Sequence, residues 1–311
     1  MAIFEIAILG RATWNLHSLN NEGTVGNVTE PRTVVLANGE KTDGISGEML
    51  KHIHAYNVWL LQEDKSQFCE ACQKFHPQKA DMNPVVSGKK LNEAKAMSEA
   101  IKSCALCDLH GFLVQKPTIA RPSTVEFGWA LGLPEKTHRD IHLHARHSMV
   151  GRTKEESATE GEKVEGAVTA QMIYHRPTRS GIYAIVSVFQ PWRIGLNEVD
   201  YNYAAVNDDK RKSRYQLALN AYKATFVRTD GAMTSTRLPH IEAIEGIVVI
   251  SETNFPAPAI SPIKDDYITQ TENLVKGQKG LSTKKFTNLT ELCTIVDGLT
   301  TKDIYKLAMP K

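Results

Sequence analysis

Residues 3–16, IFEIAILGRATWNL, decide the fold. The stretch is mostly apolar and ends in alternation, with Ala12, Trp14 and Leu16 on one face. Successive side chains of a β-strand point to opposite faces, so this pattern predicts a buried strand. The loop that follows, residues 18–31, is rich in Asn and Gly and can present backbone N–H groups to a ligand.

A helix is predicted next, in ISGEMLKHIHAYNVWL at residues 45–60. Four apolar side chains, spaced 4, 3 and 4 residues apart, share one helical face: Met49, Ile53, Tyr56 and Leu60. Ser46, just before the periodic stretch, is the predicted N-cap. The pattern therefore predicts an amphipathic helix with this stripe as its apolar face.

The rest of the chain mixes both kinds of element. Helices are predicted at Leu91–Ser103, Asp208–Val227, Asp265–Val275 and Asn288–Val296, and strands at 125–131, 141–146 and Ile244–Ser251. The basic sequence RPTRS, residues 176–180, is predicted to be the turn of a hairpin between Val168–His175 and Gly181–Phe189. The order strand, helix, strands, helix, strand indicates an α+β fold.

Composition and charge are those of an ordinary globular protein and exclude a disordered or collagen-like chain. The chain has 311 residues, 41% hydrophobic and 23% charged, which is typical of a globular protein of about two domains. The 37 Lys and Arg against 35 Asp and Glu leave a net charge of +2, with a pI of about 8.2. Strongly nucleic-acid-binding domains have a pI above ~9, so a phosphate-binding surface must be local.

No segment is predicted to span a membrane. The longest apolar runs, Gly181–Phe189 and Ile244–Ile250, are far shorter than the roughly 20 residues that cross a bilayer. The N-terminal MAIFEIAIL has no basic leader and carries Glu5 within its apolar stretch, so it is interpreted as a strand and not a signal peptide. We expect a cytoplasmic protein.

The strongest chemical signal comes from cysteine. Four of the five cysteines form two C-x2-C pairs with 31 residues between the pairs: Cys69, Cys72, Cys104 and Cys107. Four thiolates satisfy the tetrahedral preference of Zn²⁺ and leave no open position for catalysis. We predict one structural zinc ion per chain, with four unlinked thiols or a redox pair as the alternative. Two spare candidate ligands lie nearby, His76 and His110.

Histidine and arginine cluster on the predicted strands. The histidines are His138, His142, His144 and His147. Alternation places some of these histidines on one face with Asp140, which could be a third ligand, and catalytic metals use such a geometry; Arg146 shares that face, however, and would repel a cation. We interpret the strand as a solvated or RNA-facing surface. The cations Arg176, Arg179 and those of residues 210–214 are open to the same two interpretations.

The start of the first helix is a candidate anion site. Unpaired N–H groups at a helix N-terminus bind anions, Gly47 permits a close approach, and Lys51 and His52 add charge one turn later. An ordinary capped helix is the alternative. The chain has no GxxxxGK[ST], GxGxxG, GxSxG or HExxH motif, so common nucleotide-binding and hydrolase functions have no motif to support them.

Residues 149–167 have a different composition. Glycine and glutamate are frequent, and large apolar side chains are almost absent. Such a segment has too little apolar surface to offset the entropy of ordering it. We predict a mobile loop.

Five ordered blocks of sequence resemble a known family. The blocks are NLHSLNNEG (15–23), ISGEMLKHIHA (45–55), DLHGFL (108–113), TAQMIYHRPTRSGIYAI (169–185) and TNFPAPAISPIKDDYI (253–268). Together they resemble the Cas-seven backbone subunit of type I CRISPR Cascade complexes, in its DevR/Csa branch. The resemblance covers most of residues 12–275, in the right order, and residues 149–167 have no counterpart.

The resemblance implies an architecture. The core would be a ferredoxin-like (RRM-type) palm formed by residues 1–60 and 181–311. Residues 61–115 would be a zinc-bearing fingers insertion, and residues 116–180 would hold strands and a thumb hairpin insertion with the mobile loop 149–167. The chain lacks the aromatic motifs of sequence-reading RRM domains, as expected for a protein that grips an RNA backbone.

The resemblance also implies a role in antiviral defence. The chain would be a non-catalytic subunit that polymerises as a helical oligomer along CRISPR guide RNA (crRNA) and presents the guide to target DNA. Its partners would be further copies of itself and Cascade subunits of the Cas-five, Cas-six, Cas-eight and small-subunit types. The guide-phosphate contacts carried over from the family are Ser18, Asn20, Ser46, Lys51 and His52, with Thr234, Ser235 and Arg237 in a later loop.

Three other activities must be distinguished from this role. Related subunits of type III systems cut RNA with an Asp in the loop after the first strand, but here that loop has Glu22 and no Asp before Asp43. We therefore expect no nuclease activity. The alternatives are a stand-alone RNA-binding regulator, which would bind RNA as a monomer, and a zinc-dependent hydrolase, which would use the strand histidines and hold a second metal.

Overall fold

The computed structural model describes residues 2–148, 170–203, 205–231 and 234–308. The side chains of residues 146–148 and 170–172 are not described. The mobile loop predicted at residues 149–167 therefore lies outside the described residues.

The described residues form fourteen strands and seven α-helices. The strands are β1 Ala2–Ile3, β2 Glu5–His17, β3 Asn21–Val25, β4 Val28–Pro31, β5 Thr33–Val35, β6 Lys41–Ile45, β7 Phe112–Val114, β8 Ile119–Arg121, β9 Val125–Phe127, β10 Ala130–Ser148, β11 Ala170–Phe189, β12 His240–Ser251, β13 Leu281–Phe286 and β14 Asp303–Ile304. The helices are α1 Gly47–Leu61, α2 Glu70–Gln73, α3 Glu93–Ser103, α4 Ala105–His110, α5 Asp208–Val227, α6 Tyr267–Val275 and α7 Leu289–Thr300.

One large sheet organises the fold. Its four central strands lie in the order β12, β2, β11, β10, and each pair of neighbours is antiparallel. Strand β13 extends one edge, β6 and β5 extend the other, and β4 and β9 pair with β11. The predicted α+β class is confirmed, since helices and strands both contribute to the fold.

The apolar character of β2 follows from burial on both of its faces. Ile6, Ile8 and Trp14 belong to the main core, which also contains buried side chains of α1 and α5. Ala7 and Leu9 point to the other face, where residues 257–275 cover them in a second, smaller core. A strand that is covered on both faces must be nearly continuously apolar.

Helix α5 agrees with its prediction. It spans Asp208–Val227, and its four predicted inward side chains are buried: Tyr215, Leu219, Tyr222 and Phe226. The basic run at its start is only partly solvated, because Arg211 and Arg214 are buried and donate hydrogen bonds inside the protein. The solvated-face interpretation of these two arginines is therefore wrong.

Helix α1 is turned about its axis relative to its predicted apolar stripe. Tyr56 and Leu60 are 40% and 54% exposed, whereas His54 and Asn57 are buried against α5. The polar pair is buried because each finds a partner there, His54 on the carbonyl of Ala218 and Asn57 on the hydroxyl of Thr225. A hydropathy pattern cannot register such hydrogen bonds, so the stripe was wrong at these positions.

The hairpin also differs from its prediction. Residues 176–180, RPTRS, lie inside β11, and the hairpin is formed by β10 and β11. Pro177 pairs with Ile141 on β10, and the buried guanidinium of Arg179 donates to the carbonyl of Asn20 at 2.6 Å. Pairing with β10 and anchorage on the first loop hold this stretch extended despite its turn-forming residues.

Candidate functional site

The four predicted metal ligands come together in space. Cys69 precedes α2 and Cys72 lies within it, whereas Cys104 precedes α4 and Cys107 lies within it. All four are buried, and their sulfur atoms lie within 4.8 Å of one another. The cluster could hold a metal ion.

The spacing of the sulfur atoms fits tetrahedral coordination. A tetrahedron with metal–sulfur bonds of about 2.3 Å has edges of about 3.8 Å. The Sγ atoms of Cys72 and Cys107 are 3.8 Å apart. Hydrogen bonding with Cys104, together with burial, raises the pKa of the Cys107 thiol well above its ordinary value. A metal ion bound here must therefore displace protons.

The two spare histidines are engaged elsewhere. His110 Nε2 lies 3.0 Å from His54 Nδ1, and His76 Nδ1 accepts a hydrogen bond from the backbone N–H of Gln78 at 3.3 Å. In the part of the chain that the structure describes, the group with metal-ligand geometry contains the four cysteines alone.

A buried carboxylate anchors the cysteine-bearing segment to the rest of the protein. Asp108, next to Cys107, accepts hydrogen bonds from Arg121 and Arg214, each at 2.7 Å. Both Asp108 oxygens also lie 3.0 Å from the backbone N–H of Gly195. Because Arg214 belongs to α5, this network joins α4 to the main core.

Next to this network, two neutral histidines are joined. His54 Nε2 donates to the carbonyl of Ala218 at 3.0 Å, so His54 Nδ1 must accept from His110 Nε2. Burial lowers the pKa of His54 to about 3 and lowers that of His110 well below its usual range. His110 Nδ1 is then an acceptor, and it is buried with no partner among the described residues.

Lys51 and His52 line a cleft beside this pair. Lys51 and Lys79 share the cleft with His110, and His52 lies at its outer side against Phe75. Burial, together with the nearby charge of Lys79, lowers the pKa of Lys51. The predicted phosphate-binding residues thus border a cationic cleft, and Lys79 is a member of it that the sequence did not reveal.

The start of α1 is held by contacts within the chain. The Ser46 hydroxyl accepts the N–H of Met49 at 3.2 Å, as predicted for an N-cap, and the Ser46 N–H donates to Asn20 Oδ1 at 2.8 Å. A Cβ on Gly47 would lie 2.1 Å from the carbonyl oxygen of Phe127. Glycine is therefore required here by the close approach of β9.

The prediction of a loop over residues 18–31 is wrong in part, because the segment contains β3 and β4, and Ser18 lies in the short connection between β2 and β3. It is buried, and its hydroxyl donates to Asn21 Oδ1 at 3.2 Å. Asn20 links two elements, since its side chain holds Ser46 and its carbonyl accepts from Arg179. The first loop and the helix start thus form one connected unit at the base of the β10–β11 hairpin.

A second groove, of about 760 Å³, brings together residues that are far apart in sequence. Its basic and aromatic lining consists of His142, His144, Tyr174, Arg176, Arg237 and His240. Its remaining lining includes the predicted contacts Thr234 and Ser235. No acidic side chain lines it within the described residues, so the groove suits an anionic ligand.

The side chains of this groove are stacked and bonded to one another. The rings of His144 and Tyr174 are 5.4 Å apart and nearly parallel, and the guanidinium of Arg176 lies 4.6 Å from the Tyr174 centroid. Arg237 donates to His144 Nε2 at 2.7 Å. Burial, together with the charge of Arg237, lowers the pKa of His144.

These contacts bear on the hydrolase alternative. His144 Nε2 accepts a hydrogen bond from Arg237, and His142 Nε2 lies 2.7 Å from the hydroxyl of Thr178. A guanidinium in contact with His144 would repel a metal cation at this position. The geometry of the strand histidines therefore favours an anion-binding surface over a second metal site.

Arg179 and Asp43 lie in the interior and outside this groove. Both are buried, and burial raises the pKa of Asp43 although Arg179 and Arg139 oppose the shift. Two other candidate carboxylates, Glu22 and Asp140, have separate partners. Glu22 pairs with Arg32 at 2.7 Å, and Asp140 accepts from the N–H of Ile141 at 2.8 Å.

A family model described as "CRISPR-associated negative auto-regulator DevR/Csa2" matches residues 8–272. The chain belongs to the DevR/Csa2 family. The resemblance of the five sequence blocks is thereby confirmed, and membership makes this a CRISPR-associated protein.

Two curated relatives of this DevR/Csa2 chain extend the match. A "CRISPR-associated protein Cas7/Cst2/DevR" from Methanocaldococcus jannaschii is 27% identical over 296 residues, covering 89% of this chain and 90% of the relative. A protein of the same description from Thermoproteus tenax is 25% identical over 289 residues, covering 88% and 84%.

The fold is similar to that of a solved CRISPR assembly. A chain of a "CRISPR RNA-guided surveillance complex, pre-nicking" aligns with a TM-score of 0.51 at 13% identity, over 96% of this chain and 99% of that chain. This likeness concerns the fold alone.

None of the described helices combines the length and the apolar character needed to cross a membrane.

Several residues of the two clefts escaped the sequence analysis. Lys79 lies in no motif, Tyr174 lies in the block 169–185 but was not singled out there, and each enters its cleft through the folding of a distant segment. Arg176 was recognised as basic, but its position opposite His142 depends on the β10–β11 register. The alternation of side chains along β10 and β11 was the one sequence signal that could have indicated that these side chains share a face of the sheet.

Proposed function

We propose that the chain is a non-catalytic guide-RNA-binding backbone subunit of a type I Cascade surveillance complex. It would polymerise along CRISPR RNA and present the guide for pairing with target DNA. The observation that carries the proposal is the groove of arginine, histidine and tyrosine side chains, free of described acidic lining, in a chain of the DevR/Csa2 family. Such a surface suits a phosphate backbone.

The core would be a ferredoxin-like palm. Its supporting observation is the order β2, α1, β10, β11, α5, β12, with the antiparallel sheet order β12, β2, β11, β10. Residues 1–60 and 181–311 would form the palm, and residues 61–115 the fingers. The thumb would be the outer part of the hairpin within residues 116–180.

The ion in the cysteine cluster would be zinc, one per chain. Four thiolates provide the sulfur donors and tetrahedral arrangement that zinc prefers, and they close its coordination sphere. When bound, zinc would supply structural cross-linking of the two cysteine pairs and no catalysis.

The guide contacts would fall into two groups. Lys51, His52 and Arg237 would meet phosphate directly, with Thr234 and Ser235 adding hydroxyl donors. Ser18, Asn20 and Ser46 would act through the loop and helix start that they hold together. Contacts to phosphate carry no sequence information, so recognition of the target would rest on guide pairing.

Weak binding per subunit is sufficient for such a role. Each copy would neutralise only a few phosphates, which is compatible with a net charge of +2. Affinity would then sum over neighbouring copies held on one RNA. Further copies, Cascade subunits of the Cas-five, Cas-six, Cas-eight and small-subunit types, and target DNA would complete the set of partners.

Lys51→Ala and Arg237→Ala are each expected to weaken binding of single-stranded RNA to the same degree for all sequences. Each removes a phosphate contact, so the slope of log affinity against log salt should fall by up to about 0.7 per subunit. Fluorescence anisotropy with two unrelated RNA sequences over a salt series measures both quantities.

Lys284→Ala is the matched control, since Lys284 is an exposed lysine on the edge strand β13. It should leave affinity and slope close to those of the wild type. A Lys51→Ala or Arg237→Ala variant with unchanged affinity and slope would refute that residue's assignment.

The assembled protein is expected not to cleave nucleic acid. Glu22, Asp43 and Asp140 are separately engaged by an ion pair, by burial and by the backbone. Incubation of the guide-bound protein with matched RNA and single-stranded DNA, in Mg²⁺ or Mn²⁺, should leave both intact. Cleavage that disappears on mutation of one of these carboxylates would contradict the proposal.

Copurified RNA separates this function from that of a stand-alone regulator. A backbone subunit should copurify with RNA of one guide-like length and with the products of neighbouring genes. A regulator should be monomeric on RNA of varied length. Sequencing of the bound RNA decides between them.

A further inference from the structure

The exposed face of α1 carries a cluster of aromatic rings. Phe75, from the segment after α2, lies at its centre, and its ring centroid is 5.3 Å from that of His52 and 5.5 Å from that of Tyr56. Tyr56 also stacks on Trp59 at 5.7 Å. We name these four residues the aromatic patch.

The patch is exposed because the buried face of α1 is occupied by other residues. His54 and Asn57 take the positions against α5, which leaves His52 and Tyr56 on the outside of the helix. Tyr56 is 40% exposed although its ring has aromatic neighbours. Exposed aromatic rings that are already in contact with one another offer a flat and ordered surface to a ligand.

The patch borders the cationic cleft. A single cavity of about 770 Å³ is lined by His52 and Phe75 from the patch and by Lys51, Lys79 and His110 from the cleft. Neither lysine forms an ion pair with any described residue. The ammonium of Lys79 donates instead to the carbonyls of His110 and Gly111, at 3.1 and 3.0 Å.

The cleft is lined by three cations, Lys51, Lys79 and Arg121, and by two carboxylates, Glu48 and Asp81, so its charge balance is positive. Lys51 and Lys79 repel each other, and burial, together with this repulsion, lowers the pKa of Lys51. Glu48 lines the cavity and, like Glu126, opposes this shift without contacting the lysine as an ion pair. An anion bound between the two ammonium groups would relieve their repulsion.

The backbone between the cysteines and the cleft adopts an unusual conformation. Phe75 and Lys79 have φ angles of +51° and +47°, in the left-handed region that bulky residues rarely adopt. Hydrogen bonds from Phe75 N–H to the carbonyl of Cys72, at 3.0 Å, and from His76 N–H to that of Ala71, at 2.9 Å, hold the turn. The turn directs one ring and one ammonium group toward the same cavity.

We infer that the aromatic patch and the cationic cleft form one binding site for single-stranded RNA, with phosphate on Lys51 and Lys79 and a base stacked on Tyr56. Single-stranded nucleic acids are bound by this combination of a cationic groove and exposed aromatic rings. The inference rests on the proposed function and adds Lys79, Phe75 and Tyr56 to the site. The cysteine-bearing segment would thereby contribute directly to RNA binding.

The test uses the full chain and a short fluorescent RNA of mixed sequence. Tyr56→Ala should lower affinity about tenfold, because stacking on one base is lost, without changing the salt slope. Tyr56→Phe keeps the ring and should restore affinity. Lys79→Gln keeps a donor for the two carbonyls but loses the charge, so it should lower the salt slope by up to about 0.7.

Matched controls lie outside the site. Tyr201→Ala removes a tyrosine outside the site that is more exposed than Tyr56, at 56% against 40%, and Lys74→Ala removes an exposed lysine of the same segment. Both should bind RNA as the wild type does. Circular dichroism and melting temperature establish that each variant is folded.

The outcomes distinguish this inference from the proposed function. If Tyr56→Ala and Lys79→Gln bind RNA normally while Arg237→Ala is impaired, the inference is wrong and the proposed function stands. If the wild type binds no RNA, the proposed function fails. If Tyr56→Ala binds RNA normally but no longer assembles into multimers, the patch is a protein interface and the inference is overturned.

Discussion

Replacement of Cys107 by Ser is expected to abolish binding of the proposed zinc ion and to unfold the cysteine-bearing segment. All four sulfur atoms lie in one buried cluster, so loss of one ligand opens the coordination sphere and leaves three thiols buried. Structural zinc sites contribute on the order of 10 kcal/mol to folding, comparable with the stability of a whole domain. Metal content should fall from about one zinc per chain to near zero.

Elemental analysis and limited proteolysis measure the two consequences. Proteolysis should cut the variant within residues 61–115, and the melting temperature should fall by about 10 °C or more. Cys293→Ser is the control, because Cys293 is half-buried on α7 and outside the cluster. A wild-type protein that is folded and free of metal would show that the cluster is not a structural zinc site.

Asp108→Asn is expected to destabilise the protein by about 3–5 kcal/mol. The carboxylate is fully buried between the guanidinium groups of Arg121 and Arg214, each at 2.7 Å. Removal of one partner of a buried ionic network leaves the other charges without compensation in a region of low dielectric constant. Chemical denaturation followed by far-UV circular dichroism measures the free energy of unfolding.

A surface pair provides the comparison for this substitution. Asp297→Asn removes an ion pair with Lys223 in which the carboxylate is largely exposed, so it should cost at most about 1 kcal/mol. If Asp108→Asn were as mild as Asp297→Asn, the network around Asp108 would not be what anchors α4 to α5.

The contacts of Asp108 account for a block of sequence that, apart from His110, was singled out by resemblance alone. In DLHGFL, residues 108–113, Asp108 joins two arginines and His110 contacts His54. Gly111 has φ +65°, and a Cβ there would lie 2.2 Å from the carbonyl oxygen of Arg121. These polar and glycine positions hold the cysteine-bearing segment on the core.

Local pattern was a good guide to the type of most elements. The predicted helix at Asp208–Val227 is present with the same bounds, and Ser46 caps its helix as predicted. The extended conformation of residues 176–180 was not predicted, because pairing with a neighbouring strand can override turn propensity. That strand is distant in sequence: His142 on β10 contacts Thr178 on β11, 36 residues later. Turn-forming residues indicate the preference of the isolated backbone, and they carry no information about the strand that pairs with it.

The candidate site was predictable only in part. The spacing of the cysteines was sufficient to predict one cluster, because a metal ion requires its ligands to meet wherever the chain leads them. The basic groove was seen only as separate pieces, the strand histidines, Arg176 and the loop with Arg237. The meeting of these pieces depends on the register of β10 against β11 and on the placement of the loop before β12.

The sequence by itself determined the α+β class, the family and the four cysteines of the cluster, since periodicity, ordered motifs and ligand spacing are properties of the chain. The tertiary structure alone decided which face of α1 is exposed and which cations share a cleft. His54 and Asn57 became core residues because partners on α5 satisfy their hydrogen bonds, and Lys51 met Lys79 because two distant segments fold together. Burial of a polar group depends on its partners, and those partners are defined only once the chain has folded.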